Sequence, residues 1–286
     1  MNPDNNRTER GGTAASIGLA ALYLIAALSV AGFGIFRAWP ELLNSPAANA
    51  FYPRAFALFP RVQIALAFVV LAIVLVQRVR LRWVGAFVAI YLVSLGSELL
   101  GTTVGVPFGP YEYTHLLGAK WLDHVPFLIP VSWFTMALPS YALAARFGAR
   151  ARGARILVAS LILLAWDLCL DPAMSGATTY WIWGTEGAYY GMPFLNLVGW
   201  FVTGLALMAA FAALRADEWI DALPHRWMAA YYGANLALPF GMTLAAEMWF
   251  AAAATVLALA ACVAIARWTS RESTAGADAR RVVMAG

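Results

Sequence analysis

Residues 125–138 read VPFLIPVSWFTMAL, and residues 192–205 read MPFLNLVGWFVTGL. They are identical at seven of fourteen positions: Pro126/Pro193, Phe127/Phe194, Leu128/Leu195, Val131/Val198, Trp133/Trp200, Phe134/Phe201 and Leu138/Leu205. Each opens an apolar run long enough to cross a bilayer core, which takes about 20 helical residues at ~1.5 Å each. With this pair included, such runs lie near 14–36, 59–77, 83–100, 127–146, 155–171, 194–214, 226–242 and 245–266. The chain is therefore expected to be all-α, a polytopic membrane helical bundle of about eight transmembrane helices. The number falls to seven if 226–266 holds an interfacial helix and one span.

Composition agrees. Of 286 residues, 62% are hydrophobic and 12% charged, against roughly half and a quarter in soluble domains. Intrinsic disorder, a disulfide scaffold, collagen and coiled coil are excluded as whole-chain descriptions. The two cysteines, Cys169 and Cys262, sit inside apolar runs without zinc or redox spacing. Residues 1–13 read as a disordered polar tail, 14–266 as the membrane domain and 267–286 as a second disordered tail. The first apolar run is longer than a signal-peptide core and reads as a retained span.

The net charge of +4 matters less than where the basic residues fall. With eight spans and a cytoplasmic N-terminus, one side holds 15 of them and the other only Arg37, Arg54, Arg61 and Lys120. This positive-inside pattern places both termini in the cytoplasm of a multi-pass inner-membrane protein. The outer connections, 37–58, 101–126 and 172–193, are long and rich in Gly, Pro, Trp and Tyr, as functional loops often are.

The matched segments extend to a larger repeat. Each starts an out-to-in span, follows a loop with Gly and paired Tyr, and is preceded by an in-to-out span with carboxylates near its outer end. Those carboxylates are Glu98 in one case and Asp167 and Asp171 in the other. Spans 3–4 and 5–6 are thus expected to be two related hairpins that gather the acids, Trp133 and Trp200 around one cavity.

Four acids fall in or at the ends of spans: Glu98, Asp167, Asp171 and Glu247. A charge in the hydrocarbon costs at least about 2.5–3.5 kcal/mol, so such residues face a cavity or a partner. A carboxyl group removed from water can keep its proton at neutral pH and donate it. Asp167 and Asp171, four apart, share a helix face. Pro172 is expected to end the helix at Asp171, leaving Asp167 one turn deeper as the better functional candidate. For Asp171 a structural cap and a second acid are equally open. Glu98 could instead snorkel to water, and Glu247 ranks lower. His115 and His124 lack metal-ligand spacing, and His225 falls on the cytoplasmic side.

The segments GVPFGPYEYTH (105–115) and TTYWIWGTEGAYYGMP (178–193) combine Gly and Pro with clustered aromatics. They read as ordered re-entrant or capping loops, although an interfacial aromatic belt explains part of the pattern. Acids and aromatics together suit one cofactor-free chemistry. An acid protonates an isoprenoid double bond, aromatic faces stabilise the cation by about 2 kcal/mol or more when desolvated, and water or a ring closure captures it.

The run from Glu98 through GTTVGVPFGPYEYTHLLG (101–118), with VPFLIPVSWF (125–134), DLCLDPAM (167–174), YWIWG (180–184) and YYGMPFLNLVGWF (189–201), resembles a family of carotenoid-biosynthesis membrane proteins. That family contains the CruF-type carotenoid 1,2-hydratases and the archaeal bisanhydrobacterioruberin hydratases, and the resemblance covers roughly residues 85–215. It implies addition of water across the C1=C2 bond of a carotenoid ψ-end, giving a tertiary 1-hydroxy group. The partners implied are a lipophilic carotenoid, water, membrane lipids and other enzymes of the carotenoid pathway, with no redox cofactor, metal or other cofactor expected. The resemblance assigns no catalytic residues, so the roles come from residue chemistry. Asp167 or Glu98 is the acid toward C2. Trp133, Trp181, Trp183 or Trp200 faces the cation, Asp171 orients the water and takes its proton, and Tyr111, Tyr113, Tyr190 and Asn196 fix the water or the acid.

Three rivals stay open on sequence alone. DLCLD (167–171) superficially resembles an Asp-rich diphosphate motif of a prenyltransferase, but no second motif accompanies it. Intramembrane acids in a repeated bundle also suit a proton-coupled transporter, but no polar chain reaches the cytoplasmic face. A carotenoid cyclase or isomerase would use the same acid chemistry.

Overall fold

The structure is a computed structural model that describes the backbone of residues 12–285 and side chains through Arg271. The expected tail at 1–13 lies almost wholly outside the described residues. Nine α-helices are described: α1 (Thr13–Ala38), α2 (Pro46–Val79), α3 (Val84–Val104), α4 (Leu128–Phe147), α5 (Arg152–Asp171), α6 (Phe194–Ala213), the short α7 (Asp217–Ile220), α8 (His225–Ala245) and α9 (Trp249–Ala285). Seven are long and apolar enough to span a membrane. The eighth long helix, α8, has the length but not the apolarity, and its Trp227, Tyr231, Tyr232 and Asn235 are all buried in the bundle.

Helix α4 is central, with most of its residues buried. Helix α5 packs on α4, α6 and α9, α3 bridges α4 and α6, and α1 packs on α2 and α8. At one end of the bundle Arg155 is buried over the Tyr141 ring at 3.9 Å and pairs with Asp221 at 2.7 Å. This ties α5 to the turn before α8.

Two expectations are corrected. The connection 37–58 is mostly helical: a 3₁₀ turn covers Pro40–Asn44, and α2 starts at Pro46. Ser45 caps α2 by accepting from the Ala48 N–H, and Pro46 fits the first turn, whose N–H groups need no intrahelical acceptor. At the other end of the chain α9 runs from Trp249 to Ala285. The second correction concerns Pro172. Asp171 keeps right-handed helical angles, and the chain runs on through a π-helical turn, Pro172–Gly176.

A proline in a helix removes an N–H and orphans the carbonyl four residues before it, which is costly without water. Three such carbonyls are taken by aromatic donors from elsewhere in the chain. Pro172 frees Leu168 O, which accepts the Tyr189 hydroxyl at 2.7 Å. Pro60 frees Phe56 O, which accepts Tyr180 at 2.8 Å. Pro239 frees Asn235 O, which accepts the Trp166 indole N–H at 3.3 Å. Two of the three donors come from the loop 172–193, so helix irregularity and loop order support each other.

The aromatic loops contain short strands that periodicity did not reveal: β1 (Tyr111–Tyr113), β2 (Lys120–Trp121), β3 (Val125–Pro126) and β4 (Trp181–Trp183). β1 pairs antiparallel with β4, Tyr111 opposite Trp183 and Tyr113 opposite Trp181, and β2 pairs with β3. The first loop is thereby joined to the second. Arg61 of α2 also pins it, donating to Leu116 O at 2.7 Å and His115 O at 3.0 Å.

Candidate active site

The period of two along a strand decides which loop side chains turn inward. In β1, Tyr111 and Tyr113 are buried and Glu112 is exposed; in β4, Trp181 is buried and Ile182 exposed. The loop can dip this close because of a glycine in α6. A Cβ on Gly199 would lie 2.5 Å from the Phe108 ring and 2.9 Å from the Pro107 backbone. The capping loop expected at 105–115 is therefore seated in the bundle, with Phe108 buried.

Beneath it lies a cavity of about 40 Å³, lined by Glu98, Tyr111, Tyr113, Trp133, Asp171, Trp181, Trp183, Asn196 and Trp200. Phe108, Ile129, Ser132 and Leu170 complete the wall. Nine of the eleven side chains singled out by sequence thus surround one space. Asp167 is fully buried just behind it, and Tyr190 does not line it. Instead its neighbour Tyr189 reaches Leu168.

Glu98 does not snorkel. It is 4% exposed and accepts three hydrogen bonds. Trp133 Nε1 donates to Oε1 at 2.8 Å, Tyr113 donates to Oε2 at 2.8 Å, and Tyr111 donates to the same oxygen. Burial, reinforced by the adjacent Glu98 carboxyl, holds both phenols well above their ordinary pKa, so they stay donors.

Across the cavity, Asn196 gathers the other two acids. Its amide nitrogen donates to Asp171 Oδ2, to Asp167 Oδ2 at 3.4 Å and to Met192 Sδ at 2.9 Å. One amide nitrogen thus holds the two carboxyl groups together, while Asp167 Oδ1 has no hydrogen-bond partner among the described residues. The tryptophans form the floor: Trp133 and Trp200 stack with centroids 4.1 Å apart at 26°, and Trp166 meets Trp200 edge-on at 5.9 Å. Glu247 lies apart, exposed in the turn between α8 and α9.

Some of the wall was not singled out from sequence. Ile129 and Ser132 share a helix face with Trp133 at i, i+3 and i+4 spacing, a signal available once Trp133 is chosen. Phe108 stood inside the quoted motif. Among the described residues, no group of three or more His, Cys, Asp or Glu is placed to hold a metal ion.

The profile of a family described as "Carotenoid biosynthesis protein" matches residues 59–262, well over half of the chain. The protein belongs to that family. The match takes in the whole cavity wall, from Glu98 to Trp200. A bisanhydrobacterioruberin hydratase of Haloarcula japonica is 35% identical over 129 residues, 44% of this chain. The alignment spans 43% of that relative's length. No solved structure matches.

Proposed function

We propose that this member of the carotenoid-biosynthesis family is a carotenoid 1,2-hydratase, a hydro-lyase acting on the ψ-end of an acyclic or monocyclic carotenoid. One observation carries the reading: three carboxyl groups face or back a cavity walled by tryptophans, in a family that handles carotenoids. The similar hydratase supports the reaction type.

In the proposed mechanism a proton leaves the Asp167–Asp171 pair. Two carboxyl groups held on one amide nitrogen, Asn196 Nδ2, share a proton between them, and Asp171 is the member that meets the cavity. The acid is thus the pair rather than Asp167 alone. The proton adds to C2, and the electron pair of the C1=C2 bond forms the new C–H bond. The resulting tertiary cation at C1 faces the Trp133–Trp200 stack and Trp181 or Trp183. Water adds to C1 and loses a proton to a carboxylate, and the pair is restored by proton exchange. A water needs about 10–15 Å³ of such space, so a cavity of about 40 Å³ has room for water. Glu98, fixed by Tyr111, Tyr113 and Trp133, holds that water and stabilises the cation electrostatically.

In this reading the protein lies in the inner membrane with both termini in the cytoplasm, the cavity near the outer surface and the carotenoid arriving from the lipid. Co-expression in bacteria that make lycopene or γ-carotene tests the activity. A more polar pigment, heavier by one water and with an unchanged chromophore, is the expected product, because C1=C2 lies outside the conjugated system. Unchanged pigments with well-inserted protein, in these hosts and in one making a C50 precursor, would reject the reading.

A further inference from the structure

The acid cavity is too small for a carotenoid end group and its chain, but two neighbouring cavities extend it. A middle chamber of about 90 Å³ shares Ile129, Ser132, Leu170 and Trp181 with it. An outer chamber of about 200 Å³ shares Pro60, Tyr180 and Leu238 with the middle one. The outer chamber lies between α1, α2 and α8, and Leu28 and Phe51 on its rim are half exposed on the surface that would meet lipid. Its wall is aromatic, with Phe36 4.6 Å from Tyr52 and Tyr52 5.1 Å from Phe56.

We propose that the three chambers form one passage for an extended polyene, which enters between α1 and α2 and presents its terminal double bond to the carboxyl groups. The proposal rests on the hydratase reading for the chemistry at its inner end, but the passage itself is a binding site. Flat conjugated hydrocarbon fits an aromatic, mostly apolar channel. The row of chambers gives a long substrate a single direction, end group first.

Two further observations support an occupant. Gln63 is 5% exposed and lines the middle chamber, yet neither its amide nitrogen nor its oxygen has a hydrogen-bond partner among the described residues. A buried amide left so is costly, and water, the co-substrate, meets its needs beside the hydrocarbon. The junction between outer and middle chambers is also fixed, because the Tyr180 hydroxyl is held on Phe56 O, the carbonyl that Pro60 frees. The wall there is a built constriction.

Gly32 gives the test. It lines the outer chamber, and a Cβ on it would meet nothing within 4 Å. A side chain added at Gly32 therefore starts in open space, so Gly32→Phe is one plug and Ala55→Phe on the facing helix is a second. Leu24→Phe, an exposed position outside the chambers, is the control. Full-length protein would be purified in detergent from lycopene-producing cells, and pigment per protein and hydrated product measured. Both plugs should lower bound pigment at least tenfold, with Leu24→Phe at the wild-type level. Plugged variants that retain as much pigment as wild type, or a wild type that retains none, would overturn the passage. Pigment retained by wild type and lost from the plugs, with no hydrate formed, would support the passage and sink the hydratase reading alone.

Discussion

The indole rings of Trp133 and Trp200 lie face to face, 4.1 Å between centroids. They are corresponding positions of the two matched segments, so the internal repeat meets itself at the floor of the cavity. Stacking packs the two rings against each other in the cavity wall and, through Trp133 Nε1, connects that wall to Glu98. Trp200→Leu keeps an apolar filler and removes one ring of the stack. Loss of the stack and of cation stabilisation, together about 2 kcal/mol, predicts a fall in turnover of roughly thirtyfold with pigment still bound. Kinetics on membranes with matched protein levels would check it.

The acid pair makes a sharper prediction. Asp167→Asn and Asp171→Asn should each abolish hydration while the protein stays folded, because either change removes the shared proton. Asn196→Leu leaves both acids without their common donor and should cost about 2–3 kcal/mol of turnover, near a hundredfold. A fully active Asp167→Asn variant would remove the pair from the mechanism.

The tyrosines on Glu98 predict a pH dependence. Their phenols are held above the unfolded value of about 10. As pH rises past that value the unfolded chain loses these protons first, so stability should be level below about pH 10 and fall above it. Spectrophotometric titration should show two fewer tyrosinates than the unfolded chain near pH 10–11 on account of Tyr111 and Tyr113. The Tyr111→Phe/Tyr113→Phe variant should leave the native titration in that range unchanged.

The proline-freed carbonyls predict a thermodynamic cycle. Tyr180→Phe orphans Phe56 O and should cost about 1–2 kcal/mol in thermal unfolding. Pro60→Ala gives residue 60 an N–H that Phe56 O can accept, so Tyr180→Phe should cost much less in that background. An equal cost in both backgrounds would show that the hydroxyl does not serve the freed carbonyl.

Much of this was legible in the sequence, for physical reasons. Uninterrupted apolar runs specify helices and their number, and acids in such runs stand out because the hydrocarbon penalises them. The matched Trp and Pro-Phe-Leu positions pointed to one shared cavity, and Glu98, Asp171, Trp133 and Trp200 do line it. Other features were hidden. Strands of two or three residues, such as Tyr111–Tyr113, are too short for periodicity to register. The π-helical turn at Pro172 depends on Tyr189, seventeen residues on, accepting the role of the missing N–H. Glu98 looked like a span-end residue because its three donors come from a loop and another helix. Gln63 gave no signal within an apolar run, since only the fold shows that its amide lacks a partner.

The central claim is water addition to a ψ-end double bond, and isotopes test it most directly. Purified protein would be given lycopene in water labelled with heavy oxygen, and separately in heavy water, and the pigments read by mass spectrometry. The account predicts a tertiary alcohol whose oxygen comes from water, with one non-exchangeable deuterium at C2. A hydroxyl drawn from molecular oxygen, or a product with no deuterium at C2, would contradict it.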